Sequence, residues 1–488
     1  MAITRRLVEK KTAYRKTPLV QGINKFIGSP WGIAALGILN VIAFAFSLEV
    51  VFYTIVAIYA TYVGIFCDDF KPLMPLFIFC YLTPSINNNP GKSEQGLFYG
   101  ASGIYLICIV SIAIITLIVR LILDEDIGRS NIFTKKRSML FGMIVLGVAY
   151  VLSGIGSEKY LEYAKSNVLF ALIQFLSVSL LYFIFAAAIK WDEMDVDYFA
   201  WVGLIMGLIV AAEVGCIYIS EDVIVDGVIN RSKIYSGWGC YNNIGAIISM
   251  SIPFAFYFAN KKKRFGSIFM IIGCLLLAAV FFSCSRGSIV GGVFAFAVSF
   301  VYTFLKAKNT VEIRVTSGIL VGAALLGAIF FGQRLFDLFN EVPSISDVNN
   351  GSLNFNDSGR FEIYKNGLKV YLDNPIFGQT FYPASFPMYS FSDVEAFTSF
   401  FPPRWHNTII QMLASCGTVG IIAYLYHRID TIRVFWKKRT TMNIYIAISI
   451  AALLGMSMLD CHFFNVGPVF FYSMALAVME FGEEKAKY

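Results

Sequence analysis

Apolar runs of helical length recur along almost the whole chain. They fall near 31–47, 49–67, 73–85, 98–123, 138–155, 167–190, 199–219, 243–259, 266–283, 288–305, 315–332, 407–427, 441–459 and 463–481. A bilayer core about 30 Å thick needs about 20 mostly apolar residues per helical span. The third run is short, and Leu48–Glu49 leaves the first two almost fused. The pattern therefore predicts an all-α fold, a polytopic membrane bundle of about 12 to 14 spans. It divides the chain into a basic tail over 1–30, about 11 spans over 31–332, a long loop over 333–406, about three spans over 407–481 and a short tail over 482–488.

The polar positions between the runs set the orientation. Arg5, Arg6, Lys10, Lys11, Arg15, Lys16 and Lys25 make the N-terminal tail basic, and it reads as an uncleaved cytoplasmic segment. Counting runs from there puts three dense basic clusters on the same side: Lys135–Arg137, Lys261–Arg264, and Lys306 with Lys308 and Arg314. A fourth, Arg428, Arg433 and Lys437–Arg439, also falls there. The same count places outside the loop over 220–242, the turn Cys284–Gly287, the stretch 333–406 and the link Asp460–His462. Within the long stretch, Asp357-Ser358-Gly359 supplies cap residues for a helix from Arg360 that Asn374-Pro375 stops. Phe361, Tyr364, Leu368, Tyr371 and Leu372 share one face of it, as expected of an amphipathic helix lying on the outer membrane surface.

Composition agrees with a lipid solvent. Of 488 residues, 57% are hydrophobic and 15% charged, with a mean hydropathy of +0.67. Soluble domains carry about 25% charged residues. The net charge of +7 comes from short inter-span loops, as topology alone would produce. No basic-aromatic platform accompanies it, so nucleic acid is not an expected partner. Nine cysteines are scattered with no CxxC pair and read as buried free thiols, without disulfide or metal site. Asp68-Asp69, Asp124-Glu125-Asp126 and Asp192-Glu193 with Asp195 and Asp197 all map to the cytoplasmic side. The Asp195–Asp197 triplet fits either a solvated loop or a divalent-ion site. The first external link offers only Glu49, so no outer metal site and no cofactor are expected.

Arginine and histidine carry the sharper chemistry. Arg286 lies in Ser283-Cys-Ser-Arg-Gly-Ser288, between two apolar runs and with no acidic residue nearby in sequence. It either snorkels to the interface or forks onto phosphate oxygens. Arg231, Arg360 and Arg404 map to the same face, and four such arginines could hold a diphosphate without metal. Histidine is scarce. His427 falls in a cytoplasmic Tyr426-His427-Arg428 link, and His462 in a very short external turn. His406 opens the run where the long loop re-enters the membrane. It is either a structural interface residue or a base able to take a proton near neutral pH.

These residues resemble the O-antigen ligase and polymerase superfamily. The resemblance rests on SRGSIVGG at 285–292, GRFEIYKNGLKVYLDNPIFGQ at 359–379, HNTIIQMLASCGTVG at 406–420, and upstream Arg231 followed by CYNNIG at 240–245. It covers about residues 225–430. Two positions depart from the family pattern: Asn242 replaces the usual proline before Asn243, and Gln379 follows Gly378 where a second glycine is usual. The resemblance implies transfer of a glycan from an undecaprenyl-diphosphate carrier to a hydroxyl acceptor, glycan or lipid, outside the bacterial cytoplasmic membrane and without metal. It implies that Arg286 and Arg231 engage the diphosphate and that His406 is the base or orients the acceptor. Arg360, Arg404, Asn243 and Asn407 are further candidates for binding diphosphate or glycan. A polymerase, an O-antigen ligase-type enzyme and a protein oligosaccharyltransferase all remain open. From another class, a lipid-linked oligosaccharide flippase would use an intramembrane carboxyl such as Glu213, but no internal repeat accompanies it.

Overall fold

A computed structural model describes residues 17–79, 100–123, 138–155, 175–191, 194–221, 223–225, 228–236, 239–262, 264–323, 360–379 and 405–483. In chain order the helices are α1 (Pro18–Ile27), α2 (Pro30–Phe46), α3 (Glu49–Phe66), α4 (Leu73–Phe79), α5 (Gly100–Leu123), α6 (Ser138–Leu152), α7 (Leu181–Ala188) and α8 (Val196–Ser220). Then follow α9 (Tyr241–Lys261), α10 (Gly266–Phe282), α11 (Arg286–Lys306), α12 (Arg360–Asp373), α13 (Thr408–Lys437), α14 (Thr441–Met456) and α15 (Val466–Phe481). A further helical stretch covers 310–323. Among the described residues six helices are long and apolar enough to cross a bilayer, or seven if α1 and α2, bent by 69°, form one broken span. Five apolar helices of 10–17 residues accompany them. The expected all-α polytopic membrane fold is what the chain adopts.

The centre of the bundle is α9, buried along nearly its whole length and packed against α8, α10, α11 and α14. Small residues permit that crowding. A Cβ on Gly245 would meet Ser283 Oγ and Ser288 Cβ at 2.5 Å. Ser249 Oγ donates to Gly245 O at 2.7 Å, so its hydroxyl is satisfied within the bundle. Large apolar side chains such as Ile114, Ile118 and Ile122 of α5 and Val290 and Val301 of α11 point outward, as lipid-facing surfaces require.

Three segments take a form that the apolar runs alone do not show. First, the run expected to end at 427 continues to Lys437, so His427 and Arg428 lie inside α13 and not in a cytoplasmic link. A single backbone break at Gly417 (φ 61°, ψ −157°) separates a first segment from a 418–437 segment about 30 Å long. The break lets the chain enter the bundle and still span it. Second, the loop over 220–242 folds into two small antiparallel hairpins, β1 (Ile224–Val225) with β2 (Val228–Ile229) and β3 (Tyr235–Ser236) with β4 (Gly239–Cys240). Third, part of the N-terminal tail is the helix α1.

Helix α12 forms where expected and stops at Asp373, before Asn374-Pro375. The apolar face expected of it divides in two. Phe361, Leu368 and Leu372 are exposed, while Tyr364 and Tyr371 are half-buried and use their hydroxyls. Val370 packs with Trp405 and Ala414, so the inward stripe is offset from the outward apolar one. The cap residues Asp357-Ser358-Gly359 lie outside the described residues.

Candidate functional site

Four chain segments meet at the end of the bundle where α9, α11 and α13 begin. The first is the 3₁₀ turn Arg231–Lys233 that follows β2. The second is the start of α9, with Tyr241, Asn242 and Asn243. The third is the turn Ser283–Ser285, which leads into Arg286 as the first residue of α11. The fourth combines His406 and Asn407 ahead of α13 with the buried link Asp460–Asn465 between α14 and α15. The opposite end of α9 carries Lys261, paired with Asp197 of α8, so the predicted basic cluster and the candidate site lie at opposite ends.

Asp460 organises the chemistry. Its Oδ1 accepts from His406 Nδ1 at 3.2 Å and from the Cys461 N–H at 2.7 Å. Its Oδ2 accepts from Asn242 Nδ2 at 2.8 Å. Burial pushes this carboxyl upward. The His406 bond, the fields of His462 and His406 and the Cys461 N–H outweigh burial and hold it well below the usual carboxylate range. An ionised carboxylate can only accept, so His406 Nδ1 donates to it and Nε2 is the ring nitrogen left to face a reactant. This is the arrangement a general base needs, with the second ring nitrogen oriented by a carboxylate. His406 is 38% exposed at its side chain, open to a reactant from solvent.

The backbone at His406 is left-handed (φ 47°). Such a non-glycine conformation costs on the order of 1–3 kcal/mol and persists only where neighbours fix it. Tyr364 of α12 donates to the His406 carbonyl at 3.2 Å, and the Trp405 N–H donates to Gln411 Oε1 at 3.2 Å. Asn407 caps α13, accepting from the Ile409 and Ile410 N–H groups, and ties itself to Met458 O at 2.9 Å. The loop after α12 adds a clamp. The Thr418 N–H donates to Pro375 O, and the Gln379 N–H to Ala414 O. A Cβ on Gly417 would run into the Ile376 carbonyl oxygen.

A chain of hydrogen bonds joins this half to the arginine half. Asn242 Oδ1 accepts from Ser285 Oγ at 2.8 Å, and Ser285 Oγ donates onward to Ser288 Oγ in an alternative orientation at 2.9 Å. Ser288 Oγ also reaches Asn242 O at 3.0 Å. Arg286, next to Ser285, is exposed at the first turn of α11. Arg231 lies over the Tyr241 ring, 5.3 Å from its centroid, and Arg360 acts on the same tyrosine electrostatically. Asn243 Oδ1 accepts from His462 Nδ1 at 3.2 Å and from Asn465 Nδ2. Arg404 lies outside the described residues. The structure thus gathers Arg231, Arg286, Arg360, His406, Asn243 and Asn407 at one end of the bundle. It gives Asn407 a capping role and buries His462 against Asn243.

Sequence reasoning passed over Asp460, Asn242, Ser285 and Asn465. Asp460 had a signal: it is the only acidic residue in the last external link. The Asp195–Asp197 triplet resolves into structure, since Asp195 caps α8 and Asp197 bonds Tyr257 and Lys261.

The chain is a multi-pass helical membrane protein in which a histidine bonded to a carboxylate shares one end of the bundle with several arginines. The sequence model of a family described as O-Antigen ligase matches residues 269–425. The match runs from within α10 into α13 and so takes in Arg286, α12 and His406, and it supports the resemblance to the O-antigen ligase and polymerase superfamily. No curated protein matches the chain.

Proposed function

We propose that this chain transfers or polymerises an undecaprenyl-diphosphate-linked oligosaccharide onto a hydroxyl acceptor at the outer face of the bacterial cytoplasmic membrane. The observation that carries the reading is the His406–Asp460 pair, joined through Asn242 to the turn that presents Arg286. The acceptor oxygen attacks the anomeric carbon of the donor sugar. His406 Nε2 takes the hydroxyl proton as the new C–O bond forms. The bond between that carbon and the phosphate oxygen breaks, and its electron pair leaves with the lipid diphosphate. Arg286, Arg231 and Arg360 receive the charge that grows on that leaving group. Since arginine supplies this charge, transfer is expected to persist in EDTA.

Purified protein with undecaprenyl-diphosphate oligosaccharide, its products sized on a gel, tests the proposal. A ladder of lengths marks a polymerase. A single addition to a separate acceptor marks a ligase. No turnover with either acceptor overturns the transfer reading.

A further inference from the structure

Arg428 lies inside the helix α13, near the middle of the 418–437 segment that follows the Gly417 break. A cation packed into a helix bundle is costly unless partners hold it. Its guanidinium carbon lies 4.5 Å from the ring centroid of Tyr424, 4.5 Å from that of Phe463 and 5.1 Å from that of Tyr472. Nη1 donates to the Tyr472 hydroxyl at 2.7 Å, and that hydroxyl also bonds His427 Nε2 at 2.6 Å. Among the described residues no carboxylate pairs with it, and the three aromatic rings and the Tyr472 hydroxyl are what surround it.

One of those faces belongs to the candidate site's own scaffold. Phe463 is fully buried and follows His462 directly in the link that supplies Asp460, His462 and Asn465. The link is short and carries one turn of 3₁₀ helix, so fixing the Phe463 ring fixes the backbone on either side. Phe463 also packs edge-on against Tyr424 and Tyr472, which closes the cage.

We infer that Arg428 is a positioning residue: from within α13 it pins Phe463 and so holds Asp460 against His406. This rests on the transfer reading for its effect on turnover, but not for its effect on the link. Cys461, between Asp460 and His462, is fully buried with its thiol 3.6 Å from Gln411 Oε1, and it reports the link without any activity.

The test compares wild type, Arg428→Lys and Arg428→Met in one detergent preparation. Alkylation of Cys461 by N-ethylmaleimide is timed by peptide mass spectrometry, alongside turnover and donor binding. In Arg428→Met, Cys461 should be alkylated at least about tenfold faster, because loss of the cage lowers the cost of local opening. Turnover should fall at least about tenfold while donor affinity changes less than about threefold, since the arginines that hold the donor are untouched. Arg428→Lys keeps a cation in the cage and should lie between the two. Unchanged protection of Cys461 in Arg428→Met overturns the inference, whatever the turnover. If Arg428→Met does not fold, unchanged protection in Arg428→Lys overturns it equally. A wild type with no turnover but with Cys461 exposed by Arg428→Met would sink the transfer reading alone.

Discussion

Replacing Asp460 by Asn removes a charge and almost no volume. The structure sets what is lost. Asp460 accepts three hydrogen bonds, from His406 Nδ1, Cys461 N and Asn242 Nδ2. Asn242 can reverse its amide to meet the new Nδ2, because Ser285 Oγ on its far side can donate or accept. The bond to His406 has no such remedy. On the proposed mechanism that ring gains a proton in the transition state, and the carboxylate should stabilise the imidazolium far better than an amide does. A charge-assisted hydrogen bond is worth about 1.5–3 kcal/mol. At 1.36 kcal/mol per decade this predicts a fall in kcat of roughly 10- to 150-fold. Donor binding should hold, because Arg231, Arg286 and Arg360 are unaltered. The assay is single-turnover transfer from a labelled lipid-linked donor, with donor binding measured in parallel. A kcat within about twofold of wild type would refute the reasoning, because the missing interaction could not then belong to the transition state. The same substitution has a pH signature. The folded Asp460 carboxyl lies below the unfolded value. Its contribution to stability is therefore present above about pH 3.9 and lost as pH falls through the folded value. The difference in Tm between wild type and Asp460→Asn should be widest near neutrality and should shrink below about pH 4.

Four further outcomes are expected. Arg286→Lys should lose at least about tenfold in transfer, since a bidentate fork on phosphate is not replaced by a point charge; equal activity of the Lys and Ala variants to wild type ends the phosphate role. His406→Ala should lose about a hundredfold or more in turnover with donor binding retained; joint loss of both in the same preparation would make His406 a donor-site or structural residue. Asn242→Ala leaves Asp460 Oδ2 without its side-chain donor, and should cost roughly 5- to 150-fold in turnover, for about 1–3 kcal/mol of unsatisfied polar group; additivity with Ser285→Ala in a double-mutant cycle would show that the two halves are not coupled. Gly417→Ala should lower the Tm by several degrees, because φ is positive there and the Ile376 carbonyl occupies the space of a Cβ; an unchanged Tm would show that the loop after α12 can move aside.

The sequence carried the fold well because lipid leaves so few choices. Every backbone group must be satisfied within a span, so apolar runs of the right length read directly as helices. It pointed to part of the candidate site. Arg286 and His406 stood out because each is costly or rare where it lies. Asp460 did not, because its partners are distant in sequence: Asn242 is 218 residues away and His406 is 54. Arg428 was misread for a different reason. Positive charge near the end of an apolar run looks like a loop residue, and only the Gly417 break, which moves the span toward Lys437, places it inside. The two departures from the family pattern were invisible as assets. Asn242 bridges Asp460 and Ser285, and Gln379 Nε2 donates to Val370 O at 3.2 Å. Neither a proline nor a glycine offers those side-chain bonds.

The electrostatics of the site follow from how the helices are directed. α9, α11 and α13 all begin at this end, and each brings the positive end of its backbone dipole. Ser285 and Asn407 cap α11 and α13 with neutral oxygens, while Cys240 gives α9 no side-chain cap. Nothing in those caps cancels the dipoles, and Arg231, Arg286 and Arg360 add full charges. Such a field attracts a diphosphate, yet a carboxylate at the same place would repel one. Asp460 avoids that conflict because its charge is already committed to His406, Asn242 and the Cys461 N–H inside the protein. On the proposed reading, the bundle keeps an ionised acid to orient His406 while presenting a positive face to a diphosphate. A carboxylate on the exposed first turn of α11 could not have served both ends, because solvent and the incoming phosphate would compete for it. Burying the acid in the α14–α15 link, behind the histidine, separates the two tasks in space.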